Sequence, residues 1–174
     1  MVGGVLMAEH TRDPQAILAR FADGPAQLEA AVAGLSDAEL DLAPADGGWS
    51  IRQIAHHVAD GDDLWKACIK AALGNSSGEF TLQWYWGVPQ DTWAESWHYA
   101  GRAVAPSLAL FRASRDHVAQ LVEQIPGAWE RSIILRRWDG QQERISVGDV
   151  IEMQAAHAMS HIRDILALRQ AHRG

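Results

Sequence analysis

Between Gly148 and Leu168 the chain carries neither proline nor glycine, and Ser146 with Asp149 stands at the head of the run as a capping pair. So long an unbroken stretch with one apolar side is a long amphipathic helix, and such a helix is stable only when other elements cover its stripe. Three more segments supply that cover. Asp13-Pro14 caps and opens a helical pattern through Ile17, Leu18, Phe21, Leu28, Ala31, Val32 and Leu35, with Gly24-Pro25 expected to kink or split it. Ser36 to Glu39 is a capping box for one short turn, and Ser50 with Gln53 caps a second long helix ending near Gly74-Asn75. Pro106 opens a third, stopped by Pro126-Gly127. Asn75 to Gln90 reads as an irregular connection, followed by a short helix capped by Asp91. Asp139-Gly140, between Ser132–Arg137 and Glu143–Ile145, reads as a hairpin turn. The expected fold class is all-α: a four-helix bundle with a small hairpin or irregular insertion before the last helix.

The 174 residues fit one domain spanning 1–174, with residues 1–12 expected to be disordered. Hydrophobic residues make up 48% and charged residues 21%, a globular composition. A formal charge of −7 without a basic cluster argues against nucleic acid and anionic membrane as partners. One cysteine, Cys68, excludes an internal disulfide, and its apolar surroundings mark it as core rather than nucleophile. No signal-peptide pattern or bilayer-length apolar run is present, so the expected location is the cytoplasm.

The chemistry concentrates in the last helix. His157 and His161 are four apart and share one helix face, close enough to hold one divalent ion. At about 100° per residue, counting from Ile54 as the centre of the inner face, His57 lies about 60° off that centre and points inward. His56 lies about 160° off, among Arg52, Asp60 and Asp63, and is expected on the charged face, either solvated or supporting a ligand, and paired with Asp60. Val150, Gln154, His157, His161 and Leu168 form one stripe of the last helix. Three histidines with an open fourth position make the geometry of a catalytic zinc-type site, and such an ion lowers the pKa of a coordinated water to about 7. Without an ion, the same three would be core histidines satisfied by carbonyls and carboxylates. Asp60, one turn past His57, is the nearest carboxylate and the candidate base. Gln154, one turn before His157, can orient a ligand. Trp84, Tyr85, Trp86, Trp93 and Trp97, drawn from a chain with eight tryptophans, can wall a pocket, form a dimer contact or cover the bundle's open end. His10, His98, His117 and His172 have no partner spacing and are expected on the surface.

The stretch from Gly47-Gly48-Trp49-Ser50 through Ile54-Ala55-His56-His57-Val58-Ala59-Asp60, followed about a hundred residues on by His157-x-x-x-His161-Ile162, resembles the DinB-like superfamily, and most of all its YfiT-like branch. Gly34 to Asp41 is similar to the turn that precedes this motif in the family. The resemblance implies a four-helix bundle, often a homodimer, binding one divalent metal through three histidines that fall on His57, His157 and His161. Zinc or nickel is the expected ion, with iron or manganese as further candidates. It also implies a small-molecule substrate, with a low-molecular-weight thiol such as bacillithiol transferred to an electrophile in some relatives. The ergothioneine-synthesis branch fits less well, because Arg163 stands where its glutamate would be, and the maleylpyruvate isomerase branch carries a glutamate ligand that is missing here. Three function classes follow: a metal-dependent thiol transferase or hydrolase, a non-catalytic metal-binding helical dimer, and a metal-free small-molecule carrier.

Overall fold

Three of the four long helices begin at side-chain caps, while the third begins at Val104 without one, two residues before Pro106. In the computed structural model, which describes residues 13–45 and 47–172, four long helices carry the architecture: α1 (Pro14–Val32), α3 (Ile51–Gly74), α6 (Val104–Gln124) and α7 (Val147–Ala171). The expected disorder of residues 1–12, and the surface position of His10, lie outside the described residues. Asp13 caps α1 through Gln15 N, and full capping boxes start both α3 (Ser50 with Gln53) and α7 (Ser146 with Asp149). The one-turn α2 (Asp37–Leu40) has its own box from Ser36 and Glu39. Among the described residues, no helix is long and apolar enough to cross a membrane.

The principal helix contacts are α1 with α6, α6 with α3, α3 with α7, and α7 with α1. They close a ring in which α1 stands diagonally from α3. Consecutive helices are therefore not neighbours throughout, and α3 is flanked by both α6 and α7.

The connection from Asn75 to Gln90 is more ordered than the sequence reading. It contains β1 (Glu79–Thr81) and the short α4 (Gln83–Trp86). The expected hairpin is present as β2 (Ser132–Arg136) and β3 (Gln142–Ser146), antiparallel, and β1 joins β2 in parallel to make a three-stranded sheet. Asp91 does not cap the next helix, α5 (Gln90–Ser96): Pro89 takes that position, and the Asp91 carboxylate instead accepts from Trp49 Nε1 at 2.6 Å.

α1 runs through Gly24-Pro25 as one helix, so the proline does not split it. Pro25 has no N–H to give the Phe21 carbonyl four residues back. Arg115 of α6 supplies the missing donor, its Nη1 lying 2.6 Å from Phe21 O. Gly24 makes room for it: a Cβ there would sit 2.3 Å from Arg115 Nη1. The same guanidinium donates to both Asp62 oxygens on α3, at 2.9–3.3 Å, and to Gln154 O on α7 at 2.8 Å. The Phe21 and Phe111 rings enclose it, 4.2 and 4.4 Å from its central carbon. One buried arginine thus ties all four long helices.

This clasp lies between two apolar clusters. One contains Phe21, Cys68, Ile69, Val118 and Ile151. The other contains Leu28, Ile51, Ile54, Phe111 and Ile165. On α7 His157 stands at the boundary between the clusters, while His57 and His161 interrupt the second one.

Candidate metal centre

α3 and α7 pack directly against each other, and their histidines meet at that contact. His57 Nε2 lies 3.1 Å from His157 Nε2. The three imidazole centroids are 4.7–5.0 Å apart, and one ring nitrogen from each residue lies within 4.8 Å of the others. Four-coordinate zinc with Zn–N bonds of about 2.0–2.1 Å holds its nitrogens roughly 3.3–3.4 Å apart, so modest side-chain adjustment lets the three share one ion. Among the described residues, His57 Nδ1 and His161 Nδ1 are buried without a hydrogen-bond partner. Asp164 Oδ2 is 3.3 Å from His161 Nδ1, an ion-pair distance lacking hydrogen-bond geometry. The Nε2 atoms of His57 and His157 face each other, and two neutral imidazoles can place only one proton between them. A divalent cation accepts both lone pairs, and the donor set fits it.

The electrostatics point the same way. Burial, then the neighbouring His157 and His161, pushes the pKa of His57 down to about 3. Burial, then His161 and Arg115, pushes His157 down to about 4. Burial also lowers His161, with Asp164 pulling it partly back. All three are neutral at pH 7, the form that ligates metal. The sign for stability follows. Unfolding returns these imidazoles to a pKa near 6.5, so below that pH the unfolded chain binds more protons. Metal-free protein should keep this contribution above pH 6.5 and lose it as pH falls toward 4, measured as the urea midpoint across that range. A midpoint independent of pH would contradict the burial of the cluster.

The cluster borders two cavities. A groove of about 880 Å³ includes His161, Trp49, Ile54, Ala167 and Leu168. A smaller chamber of about 200 Å³ includes His57, His157, Gln154, Trp65 and Tyr85. Trp49, next to the α3 cap, packs edge-on to His57 at 4.7 Å and is held by Asp91.

The other candidate residues divide. Gln154 is buried at the chamber wall, and its Oε1 has no partner among the described residues. Asp60 turns away from the histidines. It lines a separate cleft with Asp63 and Trp97, 3.7 Å from Arg102 Nη2, and borders neither cavity that touches the cluster. Its rotational position, about 60° further from the inner face than His57, accounts for this. His56 is a correction: it is fully buried, not solvated, and does not pair with Asp60. Its Nδ1 meets Ser107 Oγ at 2.8 Å and its Nε2 donates to Arg102 O at 3.2 Å. α6 and the turn at Tyr99–Gly101 cover that side of α3. Cys68 is fully buried, its thiol pushed up by burial to about 12. His98, His117 and His172 are exposed. Tyr85 stacks on Trp93 and on Trp97, which are tilted to each other, and Trp84, still 54% exposed, packs edge-on against Tyr85 and Trp93. Of the five, Tyr85 reaches the chamber. The sequence reading missed Arg115 and Asp62. The signal that could have found Arg115 is Pro25, whose missing N–H calls for a donor from elsewhere.

The chain is similar to several known proteins. A chain from Geobacillus thermodenitrificans named "Putative metal-dependent hydrolase" is 26% identical over 153 residues, covering 88% of this chain and 82% of that one. A protein of Oceanobacillus iheyensis with the same description is 28% identical over 147 residues, covering 84% and 80%. The solved structure of YfiT from Bacillus subtilis, titled "a probable metal-dependent hydrolase with an unusual four-helix bundle topology", superposes with a TM-score of 0.79. It covers 97% of this chain and 93% of that one at 21% identity, a likeness of fold. Residues 20–165 match the DinB superfamily, and the chain belongs to that family.

Proposed function

We propose that this protein is a metal-dependent enzyme in which His57, His157 and His161 hold one divalent cation, zinc or nickel, and a small thiol is transferred to an electrophile. The observation that carries this reading is that the histidines line two different cavities, His161 the groove and His57 with His157 the chamber. A reaction joining two molecules needs two approaches to one centre. A bound cation would favour the thiolate form of the thiol at neutral pH. The sulfur lone pair then forms the C–S bond, the C–X bond breaks with its electron pair leaving on X, and the thiol proton passes to solvent.

This chain's own residues bind and orient. Gln154 holds the substrate in the chamber through its amide. Asp60 acts at a distance, as a positioning residue: it sits beside Arg102, and its charge acts on Tyr99, which packs edge-on to Trp49. Burial of the neutral imidazoles keeps protons from competing for the ligand nitrogens.

A second reading is hydrolysis, with water in the thiol's place, and the names of the relatives favour it. The two separate in one assay. With 1-chloro-2,4-dinitrobenzene and 2-mercaptoethanol, thiol-dependent chloride release that a chelator abolishes and zinc or nickel restores is the expected result. Chelator-sensitive cleavage of 4-nitrophenyl acetate without any thiol conjugation would replace transfer by hydrolysis.

A further inference from the structure

We infer that the two cavities divide the substrates by polarity: the groove takes an apolar, neutral or cationic electrophile, and the chamber takes a small thiol carrying a second hydrogen-bond donor. This rests on the thiol-transfer reading and adds to it the class of each reactant.

The groove is floored by Pro44, Trp49, Ile54, Ala167 and Leu168, and its volume of about 880 Å³ lies within the range of sites that hold drug-sized molecules. Its charged side chains are Asp91 and Asp164, and among the described residues no lysine or arginine lines it. An apolar body gains from the floor, while the acidic rim repels an anion and attracts a cation. His161 sits at the groove's inner wall, so a reactive carbon held there faces the cluster.

The chamber is different in kind. At about 200 Å³ it is below the roughly 300–1,000 Å³ of ordinary ligand pockets, which limits its guest to a few heavy atoms. Gln154 is 4% exposed, and its Oε1 is buried with no hydrogen-bond partner. A buried acceptor of this kind favours a guest that brings an O–H or N–H and disfavours an isostere without one. Gln154 stands one helical turn before His157. A short thiol can therefore reach the cluster with its sulfur while its far end meets the amide.

Calorimetric titration of the metal-loaded full chain tests both halves. For the chamber, 2-mercaptoethanol is compared with 1-propanethiol, which has the same size but no hydroxyl. Wild-type protein should prefer 2-mercaptoethanol by about five- to tenfold, and Gln154→Leu should erase the preference by weakening 2-mercaptoethanol alone. For the groove, decyltrimethylammonium should bind at least about fivefold more tightly than decyl sulfate. Ala167→Trp, at an exposed position of the groove wall, should weaken decyltrimethylammonium about tenfold and leave 2-mercaptoethanol unchanged. Circular dichroism and metal content, equal across the variants, confirm that each is folded and loaded.

Equal affinity for the two thiols in wild-type protein overturns the chamber assignment while leaving thiol transfer standing. Failure of either thiol to bind loaded protein overturns the chamber assignment together with the transfer reading. Tighter binding of decyl sulfate, or an Ala167→Trp variant that binds decyltrimethylammonium normally, overturns the groove assignment.

Discussion

Replacing His57 or His161 by alanine is expected to drop the divalent-metal content of purified protein from about one ion per chain to below roughly a tenth of that, because two imidazoles alone make a weak site. His117→Ala, at an exposed histidine of α6, should leave the content unchanged. Elemental analysis after dialysis reads all three. The same samples distinguish a catalytic from a structural ion. The clasp at Arg115 and the two apolar clusters hold the bundle without help from the histidines, so chelated wild-type protein should keep its helical circular dichroism. Added metal should raise the wild-type stability by about 2.7 kcal/mol at a hundred times Kd, and should do nothing for the alanine variants. Equal metal in wild type and both variants would remove the centre from this protein. Unfolding of the chelated wild type would make the ion structural.

Much of this centre was legible because its determinants are local. The boxes at Ser50–Gln53 and Ser146–Asp149 fix where α3 and α7 begin, and rotation from those starts aims His57, His157 and His161 to one side. The same arithmetic misjudged His56, because it assumes a helix with one covered face. α3 has two covered faces, and the side carrying His56 lies under α6 and the Tyr99–Gly101 turn. β1 was hidden for another reason. Its three residues pair with a strand some 55 positions away, and no local pattern marks so short a segment. Nothing in the sequence around Arg115 or Asp62 marks either residue as buried. Their burial depends on mutual pairing across two helices and on a carbonyl freed by Pro25, none of which is written in either residue's neighbourhood.

That pairing yields the second large effect. Arg115→Ala should destabilise the chelated protein by about 3–5 kcal/mol, since it strands the buried Asp62 carboxylate and removes the donor to Phe21 O. The double variant Arg115→Met with Asp62→Leu removes both charges and should recover much of the loss, since apolar groups of similar volume often replace a buried pair without penalty. What the double variant cannot repair is the Phe21 carbonyl, which should still cost about 1–3 kcal/mol. Pro25→Ala restores an N–H four residues on from that carbonyl. In the double-variant background it should therefore stabilise, and by more than it does in wild type, where Arg115 already fills the role. Urea unfolding of these variants with chelator present, which removes linkage to metal, measures the cycle. A loss below about 1 kcal/mol for Arg115→Ala would mean that the clasp is decorative. Equal effects of Pro25→Ala in both backgrounds would mean that Arg115 does not stand in for the missing amide.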